Sequence, residues 1–195
     1  MTGLSSLGNY LLIIVGRLFG AMLFVAMLLP FSTLEAHTPY AQWDAYRVRH
    51  FQVLTTRSDL VGDAVADRLV AVLAEHLPKS KAVVSRARNF VRMASLLKTD
   101  QAKVAVLSYA DAKAMFEGTA PFEDYGPLEL KVLVDDGAYL LVTRADLPEN
   151  HGYMVVNTLL EKGVGLNLSV PVEGIYGMAA HSGARAAVGD HLESH

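Results

Sequence analysis

Three strand–turn–helix units follow one another in this chain, and that alternation restricts it to an open α/β sheet. The first unit is Phe51 to Leu77. Val48 to Thr55 is short, apolar and rich in β-branched residues, the composition of a buried strand. Thr55-Thr56-Arg57-Ser58-Asp59 breaks it with small hydroxyls and charge. Val65, Leu69, Val72 and Leu73 then recur at helical spacing. Asp59 or Asp63 is the expected helix cap, because a carboxylate there accepts the orphan N–H groups of the first turn.

The second unit predicts a strand over Lys81 to Ala87, a turn at Arg86-Ala87-Arg88-Asn89 and a helix over Phe90 to Leu97 capped by Asn89. The third predicts a strand over Lys103 to Leu107, a turn at Ser108-Tyr109 and a helix over Ala110 to Glu117 stopped by Gly118. Successive units of this kind imply parallel strands with right-handed crossovers. Thr119 to Pro127 reads as a loop. Leu128 to Val134 and Gly137 to Thr143 are apolar runs joined at Asp135-Asp136-Gly137, either a hairpin or one long strand bulged at Gly137. A further helix starts within Asp146 to Asn150 and ends at Gly163. The Gly- and Ala-rich remainder holds one short apolar piece, Leu166 to Val172, and reads as frayed beyond Val188. The expected fold is a three-layer α/β lobe with a mostly parallel sheet of four to five strands.

The chain has 195 residues, about half of them apolar, enough for one domain with a full core. A net charge of −3 and the lack of a basic cluster exclude a nucleic-acid binder. With no cysteine, disulfides, thiol catalysis and thiolate metal sites are excluded together.

Residues 1–36 differ from the rest. Leu11 to Phe31 is almost continuously apolar, interrupted by Arg17. The run after Arg17 has the length of a signal-peptide core, and Ala36 fits the last position before cleavage, although Leu34 is bulky for its place. The alternative is an uncleaved anchor spanning a bilayer, with Arg17 near its middle at some cost. Either way the remainder is expected beyond the membrane, in a bacterial periplasm. Three parts follow: a leader or anchor over 1–36, one α/β domain over 37–188 and a flexible tail over 189–195. His37 to Arg49, with Tyr40, Trp43 and Tyr46, reads as an ordered lead-in to the first strand.

Several segments resemble the TAXI family of periplasmic solute-binding proteins, the extracytoplasmic partners of TRAP transporters. They are FQVLTTRSDLVG, SLLKTDQAKVAVLSYADAKAMFEG, LKVLVDDGAYLLVTRADLP and HGYMVVNTLLEKG. Val170-Pro171 and His181-Ser182-Gly183-Ala184 are loosely similar to the family's ending, with Ser182 where proline is usual. The order of these segments carries the resemblance more than any one of them. It implies the lobe of a type II periplasmic binding protein, with ligand groups at the carboxyl ends of its strands. Members close two lobes on a solute, whereas about 160 residues follow the leader here, a single-domain length. The opposing wall that buries a ligand is then missing.

On that basis the candidate ligand residues are Thr55, Thr56, Arg57 and Ser58 after the first strand, Arg86, Arg88 and Asn89 after the second, and Ser108 and Tyr109 after the third. Hydroxyls, an amide and helix N-termini hold anions, and arginine adds a bidentate clamp. The same residues also cap helices and solvate turns. No enzyme, metal or cofactor is expected. Asp135-Asp136 reads as a turn, because adjacent strand residues point to opposite faces. His191 and His195 lie four apart at a chain end, and His181 reads as a capping or packing residue. Two functions follow. One is an exported, one-lobed protein that binds a small anionic organic solute, with a membrane transporter subunit as partner. The other is a membrane-tethered domain that has lost solute binding and docks on another protein or on its own copy.

Overall fold

The computed structural model describes residues 50–193. The leader, the aromatic lead-in up to Arg49 and His195 lie outside the described residues. Strand β1 is Gln52–Thr56 and β2 is Val83–Ala87. Between them runs helix α1, Leu60–His76, followed by a 3₁₀ turn, Pro78–Ser80. Of the two expected caps, Asp59 fills the position: its backbone is extended and its carboxylate accepts from the Gly62 N–H at 3.0 Å. Helix α2 is Phe90–Lys98, with Asn89 accepting from the Arg92 N–H at 2.9 Å. Strand β3, Val104–Ser108, leads directly into helix α3, Tyr109–Glu117, capped by Ser108. Gly118 closes α3 at a φ of +69°, and a side chain there would strike the backbone of Gly126 and Pro127.

Strands β4, Leu130–Asp135, and β5, Tyr139–Arg144, form an antiparallel hairpin. Gly137 turns it at a φ of +93°. The bulge lies between Val132 and Val134 rather than at Gly137. One extra residue shifts the alternation. Leu130 and Val132 enter one core, and Leu133 and Val134 both enter the other.

The strand order is β2-β1-β3-β5-β4. Strands β1, β2 and β3 are parallel, and β5 is antiparallel to both β3 and β4. The sheet is therefore mixed, not mostly parallel. The cause is the hairpin: after the Asp-Gly turn, the returning strand β5 takes the open edge of β3 and separates it from β4. The crossover pattern of the first three units ends there.

Helix α4, Glu149–Lys162, follows β5. Residues 164–181 then run along the outer edge of β4, where Ser169 pairs with Asp135 and Ala180 with Val132. Helix α5, Ser182–Glu193, closes the described chain. The stretch read as a frayed end beyond Val188 continues as helix through Glu193.

Helices cover both faces of the sheet. Val53, Val104, Val106 and Leu141 meet α1, α4 and α5 on one face. Leu54, Leu107, Leu140 and Val142 meet α2, α3 and Phe122 on the other. Central strands that are apolar on both sides follow from this three-layer arrangement. Each fully buried leucine or valine contributes about 1.5–3 kcal/mol relative to exposure. No helix among the described residues is long and apolar enough to cross a membrane.

Candidate functional site at the carboxyl edge of the sheet

Helix α1 crosses one face between β1 and β2, and α2 crosses the other between β2 and β3. Strands β1 and β3 are neighbours whose following helices leave on opposite faces. Such a switch point opens a crevice outside the carboxyl ends of the two strands, the usual ligand position in an open α/β sheet. Thr56 to Asp59 and Ser108-Tyr109 sit at this edge. The hairpin brings Asp135, Asp136 and Tyr139 to the same edge, because Tyr139 pairs with Ser108.

The predicted residues divide into three groups. Thr55 and Thr56 are 1% exposed and belong to the sheet. The Thr56 hydroxyl lies 2.9 Å from that of Ser58 and accepts from the Ser58 N–H, which shapes the turn. Asn89 and Ser108 are helix caps, and the Ser108 hydroxyl also donates to Asp111 at 2.5 Å. Arg57 and Arg88 are exposed, with no side-chain partner among the described residues. They are neighbours: Thr56 pairs with Ala87, and the Arg57 N–H donates to the Ala87 carbonyl at 3.1 Å.

Arg86 belongs to none of these groups. It lies inside β2 rather than in the following turn, where it pairs in register with Thr55. Its guanidinium reaches Asp63 at 2.8 Å and Asp67 at 2.7 Å, tying the edge strand to α1. Those hydrogen bonds raise its pKa further, so it is a permanently charged clamp.

Two tyrosine–carboxylate pairs join the turns at this edge. Tyr109 donates to Asp135 at 2.7 Å, and Tyr139 donates to Asp59 at 2.9 Å. The hydrogen bond to Asp135, followed by burial, pushes the Tyr109 phenol up to about 12. Burial, followed by the hydrogen bond to Asp59, does the same to Tyr139. Both phenols therefore remain proton donors at neutral pH. Arg68 lies 3.8 Å from Asp136 on the α1 side. A cavity of about 190 Å³ opens beside that pair, lined also by Val65, Leu69 and residues 165–168. It is smaller than a drug-sized pocket.

Sequence reasoning missed the Asp59–Tyr139 pair, because the two residues come from separate elements of the fold, and it missed Asp111, which the Ser108-x-x-Asp111 spacing of a capping turn signals locally. Asp135 and Asp136 do serve the turn: Gly137 N–H donates to Asp135, and Ala138 and Tyr139 N–H donate to Asp136. Asp135 additionally receives Tyr109. His181 caps and packs, accepting from the Gly183 N–H and contacting the Leu147 carbonyl. Among the described residues no group of three or more histidine or acidic side chains is arranged to hold a metal ion. No protein family matches the chain, and the curated proteins and the solved structures hold no significant match to it.

Proposed function

We propose that this chain is an exported, one-lobed solute-binding protein, similar to one lobe of a type II periplasmic binding protein of the TAXI kind. It holds a small anionic organic solute at the carboxyl edge of the sheet and hands it to a TRAP-type membrane transporter. The observation that carries this reading is the pair Arg57 and Arg88. Two exposed guanidinium groups on adjacent strand ends offer two planar donor forks to one anion, and a carboxylate is the natural bidentate partner. The other arginines near the sheet are engaged: Arg86 with Asp63 and Asp67, Arg144 with Asp146, and Arg68 with Asp136. The nearby carboxylates are engaged as well. Asp59, Asp111 and Asp135 each accept hydrogen bonds from their own neighbours, so their charge is partly compensated before a ligand arrives. Calorimetric titration of the chain with a panel of small organic acids tests the reading. Heat of binding from one chemical class supports it, and a blank across the panel opposes it.

A second reading draws on the apolar rim of the same edge. Leu60 and Val61 open α1 at 78% and 62% exposure, Val91 lies in the first turn of α2, and exposed Tyr176 packs edge-on against Tyr109. Apolar side chains gathered round one edge suit a domain that docks on another protein or on its own copy. Sedimentation at increasing concentration separates the two: self-association without solute binding favours docking.

A further inference from the structure

Helix α5 begins just after His181, which meets β4 and the entrance to α4, and farther along Tyr153 of α4 donates to Asp190 of α5 at 2.7 Å. His181 precedes the first residue of α5, and its carbonyl receives the Arg185 N–H, the first helical hydrogen bond. Its side chain is buried. Nδ1 accepts from the Gly183 N–H at 3.2 Å, and Nε2 lies 3.0 Å from the Leu147 carbonyl. A carbonyl only accepts, so Nε2 carries the proton and Nδ1 is the free lone pair. This is the neutral tautomer, and it is a helix cap: the ring nitrogen stands where a serine or aspartate oxygen usually does. The ring also fills the space above Gly152, where an added Cβ would collide with it. The His181 N–H donates to Val132 in β4 at 2.8 Å, so α4, α5 and the sheet meet at this residue.

We propose that protonation of His181 releases α5, making this junction an acid-sensitive latch. A proton on Nδ1 turns the acceptor into a donor that faces the Gly183 N–H. The cap is lost, and a cation is created at the positive end of the helix dipole, in a buried place. The charged groups around it come from three elements. Lys131 in β4 and Arg185 in α5 oppose the imidazolium, and Glu149 in α4 favours it. Burial is the largest influence and lowers the pKa of His181. Because the folded value lies below the unfolded one, the latch is fully closed above the ordinary histidine range of about 6.5 and loosens as pH falls below it. A protein beyond the membrane would meet such acidity directly. The loss would uncover the α4 and sheet surface that Ala184 and Ala187 pack against.

Hydrogen exchange of the full chain, read by mass spectrometry near pH 7.5 and near pH 5, tests this. After correction for intrinsic exchange, protection of 182–193 falls by about tenfold or more relative to 60–76 on acidification. His181→Asn keeps an acceptor for Gly183 but cannot titrate, and its α5 protection relative to 60–76 stays level between the two conditions. Equal loss in His181→Asn, or no loss in the wild type, overturns the proposal. Should the variant not fold, a proton titration of His181 in the wild type decides: titration at or above the ordinary value, or without opening of α5, overturns it as well.

Discussion

The phenol of Tyr139 donates to the Asp59 carboxylate at 2.9 Å although the two residues are 80 positions apart. The same oxygen accepts the Gly62 N–H at 3.0 Å. One carboxylate thus holds both the first turn of α1 and the first residue of β5. Gly62 is confined by this pair, since a Cβ there would approach Asp59 to 2.6 Å and the Tyr139 ring to 2.8 Å. Tyr139→Phe is expected to cost about 1 kcal/mol, and Asp59→Ala about 2 kcal/mol because it loses the cap as well. Urea denaturation with both variants checks the order.

Caps and clamps separate at the candidate site. Asn89→Ala and Ser108→Ala each remove a capping hydrogen bond and are expected to cost about 1 kcal/mol. Arg57→Ala and Arg88→Ala remove exposed side chains without partners among the described residues, and stability should stay within about 0.5 kcal/mol of wild type. Thermal melts of the four variants measure this division.

The α4–α5 crossing tolerates no added methyl group. A Cβ on Gly183 would collide with the Glu149 carbonyl and the Tyr153 N–H, both backbone. A Cβ on Gly152 would collide with the His181 ring. Gly183→Ala is therefore expected to cost about 3 kcal/mol, at the upper end for overpacking. Gly152→Ala should be relieved in part by His181→Ala, where the obstructing ring is gone. A double-mutant cycle in denaturant shows that coupling, because touching residues are not additive.

Acid destabilises the protein through His151 too. Burial lowers this imidazole to about 4. The folded state therefore binds fewer protons than the unfolded state between about 6.5 and about 4, and stability falls as pH drops through that window. Asp146 behaves otherwise. Burial raises it, but hydrogen bonds from Arg144 and Lys103 prevail and hold it at about 2. Its contribution is present above the unfolded value of about 4 and is lost only as pH falls towards 2. Melting temperatures between pH 7 and pH 4 should decline, and the decline should be shallower in His151→Gln.

Local chemistry made much of the fold legible. Asn89 and Ser108 cap the helices that their spacing predicts, and Gly118 ends α3 where the apolar repeat stops. The mixed sheet was harder to read. The Asp135-Asp136-Gly137 turn is visible in the chain, but nothing local tells β5 to pair with β3 as well as β4. Helix α5 was missed because Gly183, Ala184 and Ala187 bury little apolar surface and owe their place to the close approach of α4. The exposed arginines were legible as residue types, and their adjacency followed only from the β1–β2 register. The tyrosine–carboxylate pairs were not legible at all, since each joins segments far apart in sequence.

Arg57 and Arg88 are proposed to hold an anionic solute. The most direct measurement is a thermal-shift screen of the full chain and of Arg57→Ala/Arg88→Ala against small carboxylates, amino acids and phosphorylated metabolites. A solute at 100 times its dissociation constant stabilises a one-site receptor by about 2.7 kcal/mol. A shift is expected with one class of anion in the wild type and none in the double variant, which melts at the same temperature without ligand. No shift with any anion in a folded wild type, or an undiminished shift in the double variant, contradicts the proposal.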